Sequence, residues 1–280
     1  MTKITVTPEE FKLFAQYILE ISGIALDVGK EYLLETRLNP LLGKYGCNSY
    51  SELLRKSKLD FKKEIENQII DAISTNETYF FRDKSPFQLL QHKIFPDLID
   101  KRSSRGIGKP TIRLWSAANS TGQEIYSIAM TLLEMGVTPK DYNIRLFGTD
   151  ISDAAIAQAS YGAYNKFEVA RGLDPSRLSK YFDPHGDKYK IKDELRVMAQ
   201  FKKMNLMKPF VGIGKFDIVL CRNVMIYFTN EDRRKIYANI AKVLEPDGYL
   251  LIGSTESLVN DTDLFASNKY LNSVFYQFKT

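Results

Sequence analysis

Apolar positions in residues 7–75 recur at helical spacing. Phe11, Phe14, Ala15, Ile18 and Leu19 share one face of a helix opened by Thr7-Pro8-Glu9-Glu10. That opening supplies an N-cap, a proline in the first turn and a glutamate three residues after the cap. A second helix is predicted over about 30–45, with Leu33, Leu34, Leu38, Leu41 and Leu42 inward and Gly46 as its stop. Ser49 and Glu52 make another capping box before a short third helix. Phe61, Ile65, Ile69, Ile70 and Ile73 mark one face of a fourth. No strand pattern interrupts this stretch, so residues 1–75 read as an all-α domain, followed by a linker over 76–85.

The pattern changes from residue 86. Ser85-Pro86 opens a helix to about residue 101, and 103–110 (SSRGIGKP) reads as a loop. Strands at 111–116, 143–148, 216–221 and 249–253 then alternate with helices at 122–135, 152–160 and 230–244. Such βα alternation predicts an α/β fold for 86–280, an open and mostly parallel sheet with helices on both faces. The alternation in KYKIK and the extended run LRVMAQF predict a small antiparallel β insertion at about 183–204.

Composition narrows the chemistry. The 280 residues are 44% hydrophobic and 26% charged, ordinary for a folded domain. Net charge is +5, but residues 1–75 hold ten Lys/Arg against eleven Asp/Glu, so the basic excess is spread over the larger part. Two cysteines, Cys47 and Cys221, lie far apart with no CxxC, and there are two histidines. A zinc site or a serine–histidine centre is poorly supplied, and no metal is expected. MTKITVTPEEFK has no apolar signal core and no run of 18 apolar residues occurs. The expectation is a reduced, cytoplasmic protein without membrane insertion.

Ligands of doubly wound sheets lie at the carboxyl ends of the strands. Three polar clusters fall there: Ser116 to Glu124, Gly148-Thr149-Asp150, and Cys221-Arg222-Asn223 running on to Tyr227. Asp150 has the spacing of a carboxylate that takes ribose hydroxyls, and equally that of an N-cap, a task open also to Ser152 or Asp153. The interdomain segment STNETYFFRD (74–83) is polar, then aromatic, then charged. It reads as a ligand-covering element or as an aromatic plug. No GxxxxGK[ST] or GxGxxG occurs. A nucleoside cofactor without phosphates, such as S-adenosylmethionine, fits this sparse glycine content.

Five ordered blocks, TNETYFFRD, RLWSAANSTGQEIYSIAM, FGTDIS, FDIVLCRNVMIYF and GYLLIGSTES, closely resemble the chemotaxis receptor methyltransferases, the CheR family. The resemblance implies a helical N-terminal domain on a Rossmann-like, S-adenosylmethionine-dependent methyltransferase domain with a small antiparallel β insertion. It implies methyl transfer to glutamate carboxylates on cytoplasmic helices of chemoreceptors, with S-adenosylhomocysteine as product. It further implies that Asn76, Thr78, Arg82, Glu124, Asp150, Asn205, Leu206, Arg222 and Asn223 bind the cofactor, and that Arg82 and Tyr227 are the catalytic residues. Basic residues of the second helix meet the receptor in this family. Lys30, Arg37 and Lys44 recur every seven residues here, so Arg37 and Lys44 are candidate substrate contacts, or else a solvated stripe. Many members read AGCSTGEEPYS where this chain has Ala118, Asn119, Gln123 and Ile125 in place of Gly, Cys, Glu and Pro.

A glutamate is ionised at neutral pH and needs no base, so positioning carries the expected chemistry. The altered loop motivates a rival, a non-catalytic S-adenosylmethionine/S-adenosylhomocysteine-binding signalling module; retention of Arg82, Asp150 and Tyr227 argues against it. No nucleic-acid motif is apparent, and a monomer is expected.

Overall fold

Thr7 caps α1 (Pro8–Ser22) as its sequence predicts: its hydroxyl accepts from Glu10 N, and the Glu10 carboxylate accepts from Thr7 N. Then come α2 (Glu31–Lys44), α3 (Tyr50–Leu59) and α4 (Glu64–Ile73). Phe14, Ile18, Leu34, Leu38, Tyr50, Leu53 and Ile69 close their common core. Phe61 departs from expectation and is fully exposed. Asp60 takes the backbone N–H groups of Lys62 and Ile65, and Lys63 is left-handed. The helix therefore starts only at Glu64, and Phe61 falls outside its apolar face.

The computed structural model describes residues 4–104 and 108–279, so the centre of the 103–110 loop lies outside the described residues. Beyond the linker, α5 (Ser85–Leu89) passes through a π turn (Leu90–Ile94) into α6 (Phe95–Ser103). The chain continues through β1 (Thr111–Ala117), α7 (Gln123–Glu134), β2 (Asn143–Asp150) and α8 (Asp153–Tyr161). An insertion follows: β3 (Ala163–Asn165), α9 (Lys166–Ala170), α10 (Pro175–Tyr181), β4 (Phe182–His185) and β5 (Lys188–Ile191). The chain returns by α11 (Asp193–Arg196), β6 (Ala199–Lys203), β7 (Phe216–Cys221), α12 (Asn230–Val243), β8 (Leu244–Ile252), β9 (Phe265–Tyr270) and β10 (Ser273–Phe278).

Seven strands form one sheet in the order β6-β2-β1-β7-β8-β10-β9. All neighbours are parallel except β10, which is antiparallel to both β8 and β9. Every residue of β7 is buried, its one charged member, Asp217, being paired with Arg102. The order reverses between β1 and β7, which makes their carboxyl ends the switch point of the sheet.

The β insertion lies earlier than its sequence suggests. Its sheet is the antiparallel β3-β5-β4 set, over 163–191. LRVMAQF is not its second strand. Leu195 and Arg196 sit in the single turn of α11, and Ala199–Lys203 joins the main sheet beside β2, Gln200 opposite Phe147. Burial of Leu195 and Met198 in the main core outweighs local strand pairing.

Candidate active site

The chain doubles back after β1. Ala118 and Ser120 adopt φ 55° and Gly122 φ 100°. The left-handed region is costly for an alanine, and Ala118 stands where the resembling family often has glycine. The turn is held by bonds to β2: Asn119 N donates to Thr149 O (2.8 Å), and Ser120 N to Asp150 Oδ2 (2.8 Å). Asp150 Oδ1 accepts from Ser152 N (3.0 Å). The cap of α8 is Ser152, whose hydroxyl accepts from Ala155 N (3.0 Å), so Asp150 is spared that task. Burial pushes the Asp150 carboxyl up from its ordinary 3.8; the N–H groups of Ser152, Ser120 and Ile151 oppose this and Asp71 reinforces it. A ligand hydroxyl donating to this carboxylate would relieve that desolvation.

Beyond β7, Arg222 is almost fully buried, its side chain 2% exposed. Its Nη1 donates to Glu124 Oε2 (2.6 Å), and its Nη2 to Asp83 Oδ2 (2.8 Å) and Arg82 O (3.1 Å). Ser116 Oγ holds the other Glu124 oxygen at 2.8 Å. Asn223 follows at φ 58°. Glu256, past the end of β8, takes three backbone N–H groups, from Asn223 (2.8 Å), Met225 (3.1 Å) and Gly253 (2.7 Å). This pins the two loops that end β7 and β8.

The linker supplies another wall. Arg37 Nη1 donates to the carbonyls of Ala72 (3.3 Å), Ile73 (2.7 Å) and Ser74 (2.9 Å), and Nη2 to Thr75 Oγ1 (3.2 Å). A cation on the last carbonyls of α4 suits the helix dipole and fixes where the linker leaves. Arg37 is therefore engaged within the protein, and Lys44 donates to Gln68 Oε1 (2.8 Å). The face of α2 read as a receptor contact thus packs these two side chains towards α4. Arg82, half-buried, donates from Nη1 to Glu77 O (2.8 Å).

These walls enclose one cavity with an empty volume of about 1270 Å³, including its open mouth. Asn76, Thr78, Arg82, Glu124, Asp150, Asn205, Leu206, Arg222, Asn223 and Tyr227 all line it, although they come from five separate segments. Arg37 and Lys44 do not. Asn205 Nδ2 donates to Ile21 O (3.0 Å), and Ala25 N to Tyr227 O (2.9 Å), so the α1–α2 segment forms the roof. Asp83 and Glu256 escaped the sequence reading. Asp83 has a signal, a carboxylate beside Arg82 that can neutralise a buried arginine; Glu256 shows none before the loops are brought together.

Two family models divide the chain between them. The CheR methyltransferase all-alpha domain matches residues 9–74, and the CheR methyltransferase SAM binding domain matches residues 76–273. The chain belongs to the CheR methyltransferase family. Relatives include a chemotaxis protein methyltransferase of Vibrio parahaemolyticus, 38% identical over all of both chains. One of Pseudomonas aeruginosa is 35% identical over 96% of this chain and 98% of its own. One of Borreliella burgdorferi is 34% identical over 93% of this chain and 92% of its own.

This CheR family member is accordingly an S-adenosylmethionine-dependent methyltransferase, and its cavity fits that group. Asp150 offers carboxylate lone pairs for hydroxyls. Glu124 offers a carboxylate beside Arg222, and the charged lining as a whole is balanced, Lys30, Arg82 and Arg222 against Glu77, Glu124 and Asp150. Ile151, Met204, Leu206 and Phe228 provide apolar walls for a flat base. Among the described residues no group of side chains could hold a metal ion. Cys221 is no nucleophile either: full burial drives its thiol well up.

Proposed function

We propose that this CheR family member methylates glutamate side-chain carboxylates on the cytoplasmic helices of chemoreceptors, acting in the cytoplasm. Its relatives are named chemotaxis protein methyltransferases. The observation that carries the reading is the guanidinium of Arg82 at the cavity wall. Among the described residues it donates one hydrogen bond, to Glu77 O, and its other donors are available to a carboxylate. A bidentate guanidinium orients a carboxylate in a plane, and an ionised glutamate needs no base.

Bound in this cavity, S-adenosylmethionine would supply a methyl group on a sulfonium, a leaving group that needs no protonation. The chain's task is then to bind and align. Asp150 takes hydroxyls, Glu124 an amino group, and Asn205 and Leu206 the adenine side. Asn76 and Thr78 hold from the linker, while Arg222 and Asn223 shape the floor. Arg82 contacts the cofactor from the linker and directs the glutamate, and Tyr227 walls the transfer position and offers a hydroxyl. The α1–α2 roof covers part of the cavity, so these fixed dipoles act with less competition from water.

The test is a tritiated-methyl transfer assay with S-adenosylmethionine and membranes carrying a chemoreceptor. Base-labile label on the receptor, lost in Arg82→Ala and Asp150→Ala, is the expected result. Absence of label despite measurable cofactor binding would overturn the glutamate reading.

A further inference from the structure

The linker has two faces. Its polar residues Asn76, Thr78 and Arg82 line the cavity, while its aromatic run is gripped by the β insertion, position by position. The guanidinium carbon of Arg171 lies 4.4 Å from the Tyr79 ring centre. Gly172 packs so closely on the Phe80 carbonyl that any Cβ there would overlap it. Phe80 meets Tyr164 and Phe182 edge-on, with centroids 5.0 and 5.5 Å apart. Arg177 stands 4.0 Å over the Phe81 ring and is itself held by Glu134 through two hydrogen bonds.

Among these grips, one reaches the site residues directly. Arg171 Nη1 pairs with Glu77 Oε1 at 2.5 Å, while the carbonyl of the same Glu77 accepts from Arg82 Nη1. Both guanidiniums approach the Tyr79 ring, Arg171 at 4.4 Å and Arg82 at 5.8 Å from its centre. One residue of the insertion therefore holds both Glu77, whose carbonyl takes Arg82, and the Tyr79 ring beside it. Phe81, Asp83 and Lys84 all have positive φ. A segment in that conformation keeps its shape only where its surroundings over-determine it.

We propose that Arg171 is a positioning residue of the active site: through Glu77 and Tyr79 it sets the placement of Arg82, so the β insertion controls the linker's cofactor-facing geometry. The inference deepens the methyltransferase reading and rests on it for turnover, but not for cofactor binding. Arg171 and Glu77 are more than half exposed, so their pair adds little to global stability. Its effect should appear at the site instead.

The experiment compares the full chain with Arg171→Ala, Arg171→Lys and Glu77→Gln, using S-adenosylhomocysteine binding by calorimetry alongside turnover and melting temperature. Arg171→Ala should weaken binding about five- to tenfold, the combined scale of an exposed ion pair and a cation–π contact, and lower kcat, with melting unchanged. Arg171→Lys should recover part of the loss. In an Arg82→Ala background the Arg171→Ala effect should vanish. Wild-type binding and turnover in Arg171→Ala would overturn the inference. So would a loss that tracks melting temperature, or one of the same size in the Arg82→Ala background. If the wild type methylates no receptor, the glutamate reading fails, yet the binding series still decides the role of Arg171.

Discussion

Arg222 and Glu124, 98 positions apart in sequence, meet at 2.6 Å, joining the end of β7 to the start of α7. The guanidinium also binds Asp83 and the Arg82 carbonyl, so one buried cation ties three of the cavity's walls together. Removing it leaves two carboxylates uncompensated. Arg222→Ala should cost about 3–5 kcal/mol of stability, the scale for breaking a buried ion pair from one side. Arg222→Lys should rescue little, because a point charge cannot reproduce the forked geometry. Denaturant unfolding of the three proteins checks this; a variant within about 1 kcal/mol of wild type would show that the network is not structural.

Asp150 sets a pH dependence. Its carboxyl is raised above 3.8 chiefly by burial. The folded protein thus holds this proton more tightly than the unfolded chain does. Its ionisation costs stability at neutral pH, and that cost disappears as the pH falls through the raised value towards 3.8. Cofactor binding uses the ionised form, so affinity should begin to fall at a higher pH than an ordinary aspartate would dictate. Calorimetric titration with S-adenosylhomocysteine from neutral to about pH 4 reads the midpoint. Asp150→Asn should bind weakly with that step removed, and an unchanged step would assign it to another group.

Glu256 holds the two loop ends by accepting three backbone N–H groups. Glu256→Ala should cost about 2–4 kcal/mol as those donors lose their acceptor and should release Asn223 from its left-handed conformation. Turnover should fall more than substrate KM rises, since the loop also carries Tyr227. Wild-type kinetics in a folded Glu256→Ala protein would refute this role.

Arg37 separates two readings of the second helix. As the cap of α4, its loss should lower stability by about 1–2 kcal/mol and loosen the linker, weakening cofactor binding. As a receptor contact, its loss would raise KM for the receptor alone. Arg37→Ala, tested by thermal melting and by both substrate titrations, distinguishes them; the capping geometry predicts the first pattern.

The sequence by itself determined the elements and their periodicity. The Thr7 box, the apolar stripes of α1 to α4 and the largely apolar run of β7 specify local structure within a few residues, because each depends on neighbours only a few positions away. It also marked ten of the residues that line the cavity: eight fall where strands end or domains join, and Asn205 and Leu206 came from the family resemblance. Tertiary structure decided what depends on distant partners. Phe61 is outside because Asp60 and Lys63 delay α4. Ala199–Lys203 pairs with β2 rather than with the insertion because Leu195 and Met198 gain more in the main core. Arg37 serves α4, Glu256 serves the loop of Tyr227, and Arg171 grips the linker, each by hydrogen bonds or ring contacts between residues tens of positions apart. No periodicity encodes such pairings; they exist only once burial brings polar groups together and obliges each to find a partner.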